Sequence, residues 1–130
     1  MAVPVCIETP TRFARYTVAD GTAIPLHTMC KLADPHLASA AVGAGEAFAG
    51  ILWEEKTASD GITMVTFAKN GDWDITDCAV GGTTGAMVVM SGANLVRDAV
   101  AGDLLTGAVV GKREEDASGS EVTRIRLEVI

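Results

Sequence analysis

The clearest alternation of apolar and polar positions lies near the end of the chain. In residues 123–129, Ile125, Leu127 and Val129 take one side, and Arg124, Arg126 and Glu128 the other. A period of two with one apolar side predicts a strand with one buried and one wet face. Shorter strand signals recur upstream. Residues 27–32 form a candidate strand closed by the turn Ala33-Asp34-Pro35-His36, and 48–53 is an apolar run behind Gly43-Ala-Gly45. Residues 61–69 are rich in the β-branched and aromatic types that fit a pleated surface, and Asn70-Gly71 follows them. Asn-Gly is the strongest short hairpin-turn signal, and Asp72-Trp73-Asp74-Ile75 alternates after it, so 61–75 is expected to be a β-hairpin. Residues 87–90 and 106–111 are further strands, and 112–120 reads as a charged surface loop. Residues 37–42 and 98–105 have room for about two helical turns each. The expected fold class is therefore mainly β, with at most one or two short helices.

Two features organise this series. Met29-Cys-Lys-Leu32-Ala-Asp-Pro-His-Leu37 lines up with Met87-Val-Val-Met90-Ser-Gly-Ala-Asn-Leu95 at an offset of 58 residues. Gly45-Glu-Ala-Phe-Ala-Gly50-Ile51 lines up with Gly102-Asp-Leu-Leu-Thr-Gly107-Ala108 at 57, so a faint internal repeat is present, carried by few identities. Residues 1–16 lack a core pattern and contain Pro4, Pro10, Arg12 and Arg15, which reads as an extended arm outside a single globular body spanning 17–130. Val3, Val5 and Ile7 alternate with Pro4 and Cys6, a pattern able to dock one apolar face by strand addition to another protein's sheet. The same composition also suits an unstructured terminus.

Composition narrows the chemistry. The 130 residues suit one domain; aromatics make up only 5% and Gly numbers 14, so aliphatic side chains must fill the core and turns must be many. The net charge is −7 with acids and bases interspersed, and no basic cluster exists to neutralise a run of phosphates, so no nucleic-acid partner is expected. No apolar run approaches a membrane span, and no membrane partner is expected. Cys6, Cys30 and Cys78 show no ligand spacing and no leader pattern precedes them, which fits reduced thiols in a protein made in a cytoplasm. His27 and His36 lack companion ligands, so no metal site is expected, and His36 belongs to a solvated turn. Asn70, Asp72 and Asp74 place oxygens at alternate positions, but the Gly and Glu of a calcium loop are missing, so turn plus strand is the reading. The Gly81-Gly-Thr-Thr-Gly85 loop lacks the Lys of a phosphate loop, and Ser91 and Ser118 lack a base. Neither catalysis nor a cofactor is expected. Trp53 and Trp73 are candidates for the core or for an interface between subunits, with the core favoured because buried large aromatics more often serve packing.

Gly45-Glu-Ala-Phe-Ala-Gly50-Ile51-Leu52, then Thr57-Ala-Ser-Asp-Gly-Ile-Thr63-Met-Val-Thr-Phe67, then Ala-Lys69-Asn-Gly71-Asp-Trp73-Asp-Ile75, follow one another in an order similar to that of the lambda-type viral head-decoration (capsid cement) proteins. The resemblance covers 22–79 and, in outline, the final strand; 78–103 departs from it. It implies a small β-tulip or barrel-like domain that forms a homotrimer and binds the major capsid protein on the outside of a tailed-virus head, stabilising the expanded shell. By the same resemblance Val3, Pro4, Val5 and Ile7 would contact the capsid, with Arg12 and Arg15 as charge partners. The alternatives are another virion component, such as a tail or spike subunit on a similar barrel, or a small ligand-binding β-barrel.

Overall fold

The computed structural model describes residues 2–41, 43–105 and 107–129. Met1 of the expected arm, Val42 of the expected 37–42 helix, Thr106 of the expected 106–111 strand and Ile130 lie outside the described residues. Among the described residues eleven strands form: β1 (Val5–Glu8), β2 (Phe13–Thr17), β3 (Met29–Ala33), β4 (Leu37–Ala40), β5 (Phe48–Leu52), β6 (Met64–Ala68), β7 (Asn70–Asp77), β8 (Met87–Gly92), β9 (Leu95–Asp98), β10 (Val109–Arg113) and β11 (Val122–Glu128). One 3₁₀ turn, Ala101–Leu105, accompanies them. The mainly β expectation holds.

The strands make two barrels of the same plan. In the first, β2-β4-β3-β5-β6 close on themselves, with β2–β4 parallel and the other pairs antiparallel. In the second, β7-β9-β8-β10-β11 close in the same order, and again only the first and third strands, β7 and β9, run parallel. The likeness reaches single hydrogen bonds. Leu52 N–H donates to Thr28 C=O as Arg113 N–H does to Ala86, and Trp53 N–H to Thr66 as Glu114 does to Arg124. Even a side chain repeats: Glu54 accepts from Thr66 N–H at 2.8 Å, and Glu115 from Arg124 N–H at 2.9 Å. The internal repeat is thus a duplicated barrel. The offset of 58 holds for β3, β4 and β6, but β5 matches β10 at 61, not the 57 suggested by Gly and Ala positions. A three-residue insertion falls in that low-information stretch, where composition cannot fix an alignment.

Several expectations are corrected. Residues 61–75 are not a hairpin: β6 belongs to the first barrel and β7 to the second, and no pairing joins them. Asn70-Gly71 is instead the crossing point. Gly71 has φ 104°, and a Cβ there would lie 2.6 Å from the Glu8 carbonyl oxygen, so the glycine makes room for the N-terminal chain passing over it. Residues 37–40 form a strand rather than a helix, and 98–105 divides into the end of β9 and the 3₁₀ turn. Arg113 is not in a surface loop; it is wholly buried at the end of β10. Of the expected arm 1–16, residues 2–16 are largely extended but do not stand outside the globule: β1 pairs with β7 and β2 is a barrel strand. Pro4 and Pro10, which suggested a free arm, are buried and lie outside the two strands, where a missing N–H costs no ladder bond.

Two apolar clusters sit beneath these sheets. One, with Val18, Ile24, Cys30, Leu52, Val65 and Phe67, fills the first barrel. The other joins Met29, Phe48 and Ile51 from the first barrel to Trp73, Ile75, Val110, Ile125 and Leu127 from the second. The alternation read in 123–129 is borne out, with Ile125, Leu127 and Val129 in that shared core.

Candidate protein-binding edges

The six residues singled out from the sequence fall on two barrels. Val5 and Ile7 lie on β1, 56% and 47% exposed, while Cys6 between them turns against the shared core. Pro4 is buried, and its carbonyl accepts a hydrogen bond from the His27 side chain. Val3 is half-buried. Arg12 and Arg15 flank or lie on β2 in the first barrel. Arg12 donates to the carbonyls of Lys69 and Val129, and Arg15 to that of Met64 at 3.3 Å. Their nearest carboxylates are at 3.8 Å (Glu128) and 3.9 Å (Glu54), loose contacts between half-exposed side chains.

β1 covers part of the β7 edge, pairing Val5 with Asp74 and Glu8 with Asp72, with a bulge between Cys6 and Glu8. Glu8 is held at 3.2 Å by Arg126, whose Nε lies 2.7 Å from Asp72; Arg124 binds Asp74 at 2.6 Å. The bulge and Pro4 blunt the outer side of β1 against further pairing. The first barrel has no such cover. β2 alternates its hydrogen-bonding direction: Arg12 accepts from Lys69 and Val18 donates to Thr63 on the β6 side, whereas Thr17 donates to His36 on the other. Phe13 and Arg15 therefore turn their N–H and C=O groups to the side where β4 pairs at Thr17, and among the described residues no strand pairs with these two.

Between the barrels lies an aromatic junction that the sequence did not reveal. His27 stacks on Trp53 at 5.6 Å and meets the edge of Trp73 at 5.0 Å; Phe13 reaches Trp53 at 5.8 Å. His27 was expected on a strand; it adopts φ 66° just before β3, a conformation that Gly85 takes at the matching position of the second barrel. Burial lowers its pKa, opposed by the bond to Pro4. Trp73 is fully buried, as expected, and Trp53 is half-buried against the same core.

Buried charge is structural. Lys56, with no exposed side chain, donates to Asp20 Oδ1 at 2.9 Å, to the Asp20 and Thr57 carbonyls and to Asp60. That ammonium, with the Ile62 and Thr57 N–H groups, holds the Asp60 carboxyl at about 2. Arg113 grips Asp77 with two bonds of 3.1 and 3.2 Å and Asp98 with one of 3.0 Å. A groove of about 340 Å³ beside it is lined by Thr84, Gly85, Lys112, Arg113, Glu114 and Arg126. Burial raises the Glu114 pKa, as does its hydrogen bond to Asp72. The groove brings no serine or cysteine to a base. Cys30 is buried and its thiol is pushed up to about 12, far from a reactive thiolate. Among the described residues no cluster of three His, Cys, Asp or Glu is placed to hold a metal, and no helix is long and apolar enough to cross a membrane.

What the surface offers is strand edge and exposed apolar side chain, the means of protein–protein contact. No protein-family model matches the chain, and no curated protein matches it.

Proposed function

We propose that the protein is a non-catalytic structural component of a tailed-virus particle, made in the host cytoplasm, that binds the major capsid protein on the outside of the head as a homotrimer and stabilises the expanded shell. The ordered likeness of residues 45–75 to head-decoration proteins supports the capsid as partner. The observation that carries the reading is the apolar pair Val5 and Ile7, half-exposed on an edge strand that is itself anchored by Cys6. Anchoring matters because a contact strand already ordered loses less conformational entropy on docking. A trimer then presents three such strands at once, so modest single contacts add into firm retention.

The test mixes purified protein with expanded, undecorated capsids of its own virus and measures co-sedimentation. Wild-type protein is expected to pellet with the shells, and the double variant Val5→Asp, Ile7→Asp to stay in the supernatant with an unchanged circular dichroism spectrum. Wild-type protein that fails to pellet sinks the reading. Point variants are the right probe, because deleting the N-terminal residues would strip β1 from β7 and remove Cys6 from the core.

A further inference from the structure

Duplication sets one barrel beside the other, residue for residue. Across the outer side of the first, Met29 pairs with Ile51 and Ile51 with Ala68, and the rings of His27 and Trp53 stack next to this row. All three row residues are buried, because that side packs into the shared core with Trp73, Leu127 and Val129 of the second barrel. The matching row on the second barrel is Met87, Lys112 and Arg126, paired in the same way. This row is open: Met87 is 47% exposed, and Lys112 is exposed as well. Gly85 and Glu114 stand where the first barrel has His27 and Trp53, and the groove of about 340 Å³ lies there.

We propose that this outer side of β8, β10 and β11 is a second contact surface for the capsid protein, from which it takes an aromatic side chain flanked by a carboxylate. The inference rests on the decoration reading and extends it beyond Val5 and Ile7. The face is one that this barrel plan already uses for docking, in its first copy. There an apolar row suits permanent cover; on the second barrel a charged row suits a surface that is wet before assembly. The partner's chemistry follows from what the groove has and lacks. It is open where the first barrel places two rings, and the cations Lys112 and Arg126 line it, able to lie against the face of an entering ring. Arg126 is already held by Asp72 at 2.7 Å and Glu8 at 3.2 Å, and Arg113 by Asp77 and Asp98. Glu114 is hydrogen-bonded to Asp72. Lys112 is the groove cation with no ion pair among the described residues, and so the one left to receive a carboxylate from outside. The bond from Arg126 to Glu8 joins the face to β1, which puts a partner seated on Val5 and Ile7 beside it. Simple repetition of the barrel contact by a second copy is not open. The receiving residues Trp73, Leu127 and Val129 are matched in the first barrel by Ala14, Lys69 and Gly71, and the Glu8–Pro10 chain passes over Gly71.

The test extends the capsid assay with a footprint. Wild-type protein, free and bound to expanded shells, is exposed briefly to hydroxyl radicals, and sulfoxide at Met87 and Met64 is read by mass spectrometry. The two methionines are almost equally exposed, 47% and 46%, and Met64 lies on the first barrel, off the proposed face. Both are expected to oxidise in the free protein, and binding to shells should slow Met87 about tenfold while leaving Met64 unchanged. Met87 as reactive on the shells as in solution overturns the face and leaves the decoration role standing, since the protein has still pelleted. Met87 protected already in the free protein assigns the face to another copy of the chain and overturns the capsid as its occupant. In a second arm, a folded Lys112→Glu variant is expected to bind shells about tenfold more weakly than wild type. Equal retention of the two overturns the carboxylate assignment. Wild-type protein that does not pellet refutes the decoration role, and this inference with it.

Discussion

Arg113 shows how much a single side chain can depend on distant partners. In the sequence it lies in a run of charges, Lys112-Arg-Glu-Glu-Asp116, that resembles a solvated loop. In the fold it is buried between Asp77, whose side chain is also wholly buried, and Asp98, which is partly exposed. Truncating it as Arg113→Met leaves the Asp77 charge without its partner, and a loss of about 3–5 kcal/mol is expected. The double variant Arg113→Met, Asp77→Leu should recover much of that loss, since an apolar pair asks for no charge compensation. Urea unfolding of the four proteins of this cycle checks both statements; a single variant as stable as wild type would contradict the first. The aromatic junction teaches the same lesson. Nothing local to Phe13, His27, Trp53 or Trp73 announces that they meet, because the first three come together only when the first barrel closes and Trp73 joins them only when the second docks.

At the scale of elements, the strands were legible wherever one face is wet. β11 alternates cleanly because its outer face carries Arg124, Arg126 and Glu128. β5 is buried throughout, so its run shows no period and only its length and its glycines mark it. Pairing was less legible than strand existence. Gly50 and Gly111 show why: each sits where its strand presses on the next, and a Cβ would lie 2.7 Å from the Ala68 carbonyl oxygen or 2.0 Å from that of Arg126. These glycines mark close approach between strands, whereas composition alone suggests turns. Gly111→Ala is expected to cost at least about 1–3 kcal/mol through overpacking. Gly102→Ala, with nothing within 4 Å of the added methyl, should be close to neutral. A lowered urea midpoint for the first and an unchanged one for the second is the expected pattern; equal midpoints would refute the packing argument. The misread Asn70-Gly71 belongs here too, since a turn glycine and a crossing glycine look identical in one dimension.

For the whole molecule the duplication raises the question of independence. Two barrels with separate cores would unfold separately. Here the larger cluster draws on both, and the Trp53–Trp73 contact at 6.1 Å bridges them. One cooperative transition is therefore expected, with tryptophan fluorescence at the junction and hydrogen exchange of the first-barrel core residues Val65 and Phe67 reporting the same stability. Two resolved transitions would show that the shared core does not couple the halves. The N-terminal segment strengthens this union, because β1 precedes the first barrel in sequence yet pairs with the second.

By itself the sequence determined the mainly β class, most strand positions, the wet and dry faces of β11 and the existence of a repeat. All of these follow from local composition and a period of two, which act over a few residues. The tertiary structure decided the rest: that the repeat is a closed barrel built twice, that the expected arm is two paired strands, and that Arg113 is buried. It also decided which strand edge is covered and which is bare. Those outcomes depend on which backbone groups find partners far along the chain. The candidate contact residues Val5, Ile7, Arg12 and Arg15 were all readable as an exposed N-terminal set. Their division between two barrels was not, because main-chain pairing is nearly indifferent to side-chain identity and leaves little trace in the sequence.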